Sequence, residues 1–195
     1  MQHFIEFMFF AFAAMVSPGP NNLLLMHSGL NFGLKRSMPL ITGALCAYFT
    51  MLISLALGLG IVFETIPNLK FAVKLVGSFY MIYLAWKIAK LNERKLDPHL
   101  DKPLSFKQAF FFQWVNPKVW LIFIVYFSIF HISQSYPINA LILIILILIL
   151  NTPVLFIWAG LGSVLEKIIK SPKHRQILNF ILAFFLAFTV ILLWI

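Results

Sequence analysis

Val16-Ser17-Pro18-Gly19-Pro20-Asn21-Asn22 interrupts an apolar stretch that runs from Phe4 to Met26. A proline inside a helix removes an amide donor and clashes with the carbonyl four residues earlier, and glycine lowers helix propensity further. The stretch is nonetheless long enough to span hydrocarbon, with no Asp, Glu, Lys or Arg between Glu6 and Lys35. These residues predict a helix that enters a membrane, breaks and starts again. Broken backbone at that depth is tolerated only where it is buried in protein or lines a cavity. Val115-Asn116-Pro117-Lys118 breaks a second apolar stretch in the same way.

The composition agrees with a membrane setting. Of 195 residues, 62% are hydrophobic, 11% are charged and 22 are Phe, far from the roughly 45–50% apolar and 25% charged of soluble domains. The chain reads as an all-α integral membrane protein. Met1-Gln2-His3-Phe4-Ile5-Glu6 carries an acid and no Lys or Arg, so the first span is expected to stay and not be cleaved as a signal peptide. The net charge of +9 is scattered between apolar spans, which argues against a nucleic-acid partner and for topology signals. Cys46 is the one cysteine, and the five histidines never approach ligand spacing, so neither a metal, a cofactor nor dithiol chemistry is expected.

Six spans are read, at Phe4 to Met26, Met38 to Phe63, Ile66 to Trp86, Ala109 to Phe130, Ile138 to Gly160 and Ile177 to Ile195. The third is the weakest, because Lys70 and Lys74 in its first turns must snorkel outward. Basic residues fall in alternate connections: Lys35 and Arg36; Lys87, Lys90, Arg94, Lys95, Lys102 and Lys107; Lys167, Lys170, Lys173 and Arg175. Together these hold 12 of the 15. The positive-inside rule then places both termini on the non-cytoplasmic side.

Three spans followed by three more put the second half upside down relative to the first. The chain is therefore divided into a three-helix repeat over 1–91, a basic cytoplasmic linker over 92–108 and a second, inverted-topology repeat over 109–195. The Asn92 to Lys102 part of the linker, with Pro98, would be the hinge. Phe12 to Pro18 (FAAMVSP) and Phe111 to Pro117 (FFQWVNP) share Phe, Val and Pro at one offset. They fall on the first span of each half, where transporters built from inverted repeats keep broken helices and bind substrate near the midplane.

The breaks have a defined chemistry. Pro18, Pro20 and Pro117 release the carbonyls of Ala14, Val16 and Gln113, which suit an ammonium group. Asn116 is a favoured N-cap and Pro117 a favoured first helical residue, and Asn21 or Asn22 can cap the other restart. Unpaired amides at a helix start favour a carboxylate. Lys118 adds a full charge there, about 16 Å beyond Lys107 at 1.5 Å per residue, and a lysine so deep costs roughly 2.5–3.5 kcal/mol on insertion scales. The candidate substrate-binding residues are thus Ser17, Pro18, Gly19, Pro20, Asn21, Asn22, Asn116, Pro117 and Lys118. Asn151-Thr152-Pro153 forms a third break that frees the Ile149 carbonyl, adding Asn151 and Pro153. The ligand that fits is a zwitterionic amino acid. The alternative is a pair of simple proline kinks, with Lys118 on the carbonyl end of a neighbouring helix.

Other features read more plainly. Gly43 with Ala47, and Gly58 with Gly60, permit close helix contact, within the protomer or between the protomers of a homodimer. Tyr80, Tyr83, Trp86 and Trp194 are interfacial anchors against the lipid bilayer. His27 stands near the cytoplasmic end of the first span.

SPGPNN at Ser17 to Asn22, Gly33 to Ser37 (GLKRS), Gly43, Gly77-Ser78-Phe79-Tyr80 with Leu84-Ala85-Trp86, and Asn116-Pro117-Lys118 occur in this order. In these motifs, over nearly its whole length, the chain resembles the LysE/RhtB family of amino-acid exporters, nearest to those for cysteine and O-acetylserine or other neutral amino acids. The resemblance implies a secondary transporter that exports small neutral amino acids or derivatives across the inner membrane of a bacterium. It also implies coupling to an ion gradient, with a proton as the coupling ion. One departure stands out: where many relatives carry an acid early in span two, this chain has Ala47 and Tyr48.

Rival readings are a thiol-exchange redox protein, which needs paired cysteines, and an intramembrane enzyme, which needs an acid, a base and a nucleophile at depth. None of the six acids lies deep in a span. A cation or divalent-metal exporter or channel using the freed carbonyls is the alternative function, against which Lys118 would act by repulsion.

Overall fold

A computed structural model describes residues 2–59, 65–90 and 103–194, and within them all regular structure is helical. Helix α1 (Gln2–Val16) is followed by α2 (Pro20–Arg36), and α3 (Met38–Ser54) runs on into a π-helical turn, Leu55–Leu59. Then come α4 (Pro67–Ala89), α5 (Phe106–Trp114), α6 (Pro117–Ile129), α7 (Tyr136–Ile168) and α8 (Pro172–Trp194). Four segments are long and apolar enough to cross a membrane, and six if each of two bent pairs counts as one span. Large apolar side chains such as Phe9, Phe79, Phe111, Ile149 and Phe184 stay exposed. So much exposed apolar surface is stable only against lipid or another apolar partner.

The bent pairs are those expected from the proline motifs. α1 and α2 meet at 53°, and α5 and α6 at 60°. The second break is built as the sequence requires: Pro117 opens α6, and the Asn116 side chain accepts from the Lys118 amide at 3.2 Å. At the first break Gly19, not an asparagine, is the N-cap, with Pro20 as first helical residue. Asn22 instead turns back and donates its amide to the Met15 carbonyl at 2.8 Å and to that of Ser17 at 3.1 Å. The third expected break is absent. α7 passes through Pro153 without interruption, because Asn151 and Thr152 bond back to the carbonyls of Ile147 (3.0 Å) and Leu148 (2.7 Å) and hold the turn.

Several expected boundaries move: α7 runs to Ile168, past the expected Gly160, and α8 starts at Pro172, ahead of Ile177. α2 extends well past Met26 to Arg36, kinking at Gly33, whose φ of 76° suits glycine; the Ser37 hydroxyl donates to the Gly33 carbonyl at 2.9 Å. α5 starts at Phe106, set by a capping box between Ser105 and Gln108, so 106–108 belong to a helix and not to the linker. The proposed hinge at Asn92 to Lys102 lies outside the described residues, as do Gly60 and the end of span two. Gly58, at φ 99°, allows the backbone of the π-helical turn.

Packing brings the breaks together. α2 lies against α7, α3 against α5 and α4 against α8. Glycines set the closest approaches: a Cβ on Gly29 would stand 1.9 Å from the Ala159 carbonyl oxygen, one on Gly162 2.1 Å from that of Met26, and one on Gly43 2.5 Å from that of Phe106. Gly43 and Ala47 thus serve contacts within the protomer. Lys74 places its ammonium over the Trp194 ring at 4.5 Å, which gives the third span's inner lysine a partner. One core cluster gathers Phe7, Met15, Tyr48, Phe123, Tyr126 and Leu143. A second gathers Leu23, Leu30, Met81, Leu84, Phe112 and Leu186.

Candidate functional site

The two breaks touch through one side chain. Lys118, in the first turn of α6, reaches across to the end of α1, where its Nζ donates to the Ser17 hydroxyl at 2.8 Å and the Ser17 carbonyl at 3.3 Å. The stem passes over Gly19 so closely that a Cβ there would lie 2.7 Å from Nζ. Glycine at position 19 is therefore a matter of room, since its φ of −151° and ψ of 174° are open to any residue. Lys118 is half-buried and pairs with no carboxylate among the described residues.

Around this contact the sequence's candidates gather. A cavity of about 50 Å³ is lined by Gly19, Pro20, Asn21, Asn22, Asn116, Lys118 and Asn151, together with Tyr48 and Tyr126. A larger one of about 440 Å³ adjoins it, sharing Gly19, Pro20, Lys118 and Ile122, and extends along Pro18, Thr189, Leu192 and Leu193. Ser17 belongs to the site through its bonds to Lys118. Pro117 is buried and packs toward Gly77 instead of the cavity. Pro153 is exposed and stands apart.

A hydrogen-bond chain fixes the polar wall. Gln113 Nε2 donates to Asn21 Oδ1 at 2.5 Å, and Asn21 Nδ2 donates to the Tyr48 hydroxyl at 3.0 Å. One chain thus links α5, α2 and α3, with all three residues buried. Gln113, Tyr48 and Tyr126 were missed in the sequence: each is a single polar or aromatic residue on an apolar helix, with no local motif to flag it. The expected ammonium acceptors are largely taken. The Ala14 carbonyl accepts from the Ser17 hydroxyl at 2.8 Å and that of Gln113 from the Asn116 amide at 3.1 Å. A cation or metal reading gains nothing from this arrangement, for two of the three carbonyls it would use are bonded and a lysine sits at the junction.

Other buried polar groups belong elsewhere. Asn31 on α2 and Asn179 on α8 exchange side-chain hydrogen bonds at 2.8 and 3.2 Å, joining the two helices. His27 is buried, lies edge-on to Phe32 and lines a separate small cavity with Ser28 and Lys87.

The arrangement is a fixed positive centre in a polar pocket at the meeting of two helix breaks, suited to a small anion-bearing ligand. A family profile described as LysE type translocator matches residues 12–195. Curated relatives include proteins named "Cysteine/O-acetylserine efflux protein" from Escherichia coli (strain K12), Escherichia coli O1:K1 / APEC and Shigella sonnei (strain Ss046). Each is 28% identical over 180 residues, covering 90% of this chain and 89% of the relative. No solved structure matches the chain.

Proposed function

Since the chain belongs to the LysE type translocator family, and so is a membrane transporter and not an enzyme, we propose that it exports small neutral amino acids or their derivatives from the cytoplasm, driven by an ion gradient. The observation that carries this reading is Lys118, a cation without a carboxylate partner among the described residues, held against Ser17 where the two broken helices meet. Substrate carboxylate replaces the Ser17 hydroxyl as the partner of Nζ, and the amides at the start of α2 and α6 add their partial positive charge. The substrate's ammonium group has the aromatic wall of Tyr48 and Phe123 to face, with no acid among the described lining residues. The absence of an acid there favours a neutral side chain over a dibasic substrate. The names of the relatives support the same class.

In this reading each bent pair is one span, giving six spans in two inverted repeats, with both termini outside the cytoplasm of a bacterial inner membrane. The packing supports it: first span against fifth, second against fourth, third against sixth, a pattern preserved when the halves are exchanged. The coupling ion is taken to be a proton. The test is efflux of a panel of labelled amino acids from proteoliposomes under an imposed pH gradient. Gradient-stimulated efflux of small neutral amino acids, with little of lysine or of metal cations, is expected; efflux indifferent to the gradient would refute the coupling.

A further inference from the structure

The Tyr126 hydroxyl is buried and has no hydrogen-bond partner among the described residues, yet Tyr126 lines the same cavity as Lys118. Packing fixes its ring, edge-on to Phe7 at 5.3 Å and to Phe10 at 5.9 Å between centroids. A buried hydroxyl without a partner is a standing cost to the fold, and phenylalanine would fill the same space without it. The cavity's other phenol, Tyr48, is already tied to Asn21. Tyr126 is thus the polar group of this wall that has nothing to bond until the cavity is occupied.

We infer that Tyr126 reads the side chain of the bound amino acid, donating its hydroxyl proton to an acceptor several atoms away from the substrate's carboxylate. The site then favours side chains that end in a carbonyl, such as an ester or an amide, over apolar side chains of the same length. This rests on the reading that Lys118 holds the carboxylate. Tyr126 stands a little over two turns beyond Lys118 on α6, an offset of about 12 Å along the axis. Helical side chains in general lean toward the amino terminus, so the axial offset is expected to carry over to the two head groups. Two hydrogen bonds of about 2.8 Å each leave roughly 6 Å for the substrate between them. That is the span from carboxylate to acceptor in an extended acyl-ester or amide side chain, and more than a hydroxymethyl group reaches. Ile122 and Phe123, one turn from each anchor, give the intervening methylenes an apolar wall.

The test uses the full chain in liposomes loaded with equal concentrations of labelled O-acetylserine, glutamine or norleucine, the last matching their length without an acceptor. Wild type is expected to export the two carbonyl-bearing substrates roughly tenfold faster than norleucine at low concentration. Tyr126→Phe is expected to bring the ratio near one. Because the variant keeps the ring and removes an unpartnered hydroxyl, its thermal midpoint should equal or exceed that of wild type. An unchanged ratio in Tyr126→Phe overturns the inference, and doubly so with a lowered midpoint, which would make the hydroxyl structural. Efflux of all three substrates that survives in Lys118→Ala would instead refute the carboxylate site beneath it, and this inference with it.

Discussion

Alanine at position 19 is expected to unseat Lys118 while leaving the backbone in place. The φ and ψ of Gly19 are extended and open to alanine, so the substitution acts by bulk alone. The new Cβ would lie 2.7 Å from Lys118 Nζ, 3.0 Å from its Cδ and 3.3 Å from its Cε. Ordinary contact begins near 3.4 Å, so the ammonium must retreat by about 0.7 Å or swing away, which takes its 2.8 Å bond to Ser17 to the limit of hydrogen bonding. A hydrogen bond to a charged group contributes about 1.5–3 kcal/mol. If that position is the one the substrate carboxylate meets, the half-saturating concentration for efflux rises roughly ten- to hundredfold. The loss of a glycine N-cap costs the fold a fraction of a kcal/mol to about 1 kcal/mol, so the protein still inserts. The assay is initial efflux from proteoliposomes against internal amino-acid concentration, with thermal unfolding in detergent as the check on folding. Combining Gly19→Ala with Lys118→Ala should add nothing to Lys118→Ala alone. A folded Gly19→Ala protein with half-saturation within about twofold of wild type would refute the reasoning.

The helix contacts give further expectations. Gly29→Ala and Gly162→Ala each drive a methyl group into a backbone carbonyl at about 2 Å, so each should lower stability by at least the 1–3 kcal/mol typical of overpacking. Gly160→Ala, inside α7 with nothing within 4 Å of the new methyl, should hold or raise stability, by up to about 1 kcal/mol, in the same unfolding assay. Asn31→Leu leaves the buried Asn179 amide without its partner and should cost about 1–3 kcal/mol, and Asn179→Leu should cost less, because Asn31 Nδ2 keeps its bond to the His27 carbonyl at 3.0 Å. The double variant should cost clearly less than the two singles together, as measured by a double-mutant cycle.

What was legible in the sequence was whatever local chemistry decides. Proline and glycine announced both helix breaks, and Asn116-Pro117 announced the restart of α6, because capping depends on neighbouring residues alone. The same logic misassigned the other restart: a Pro-Gly-Pro string lets Gly19 take the cap and frees Asn22 to tie off the end of α1. It also made a break of Pro153, where side chains one and two residues earlier repair the helix. Local patterns failed for the cavity wall and for Gln113, which supports it from behind through Asn21. Gln113, Tyr48 and Tyr126 come from α5, α3 and α6, and only the packing of α3 on α5 and the bend before α6 bring them to one place. The Asn31–Asn179 bridge between α2 and α8 was hidden for the same reason.

The central claim is that Lys118 receives a substrate carboxylate where two broken helices meet. Its most direct measurement compares efflux of an amino acid with that of its carboxamide, which lacks the negative charge, in wild type and in Lys118→Ala. Wild type should export the amino acid and discriminate strongly against the amide, and Lys118→Ala, inserted and folded, should lose both the efflux and the discrimination. Amino-acid efflux at the wild-type rate in Lys118→Ala would contradict the account.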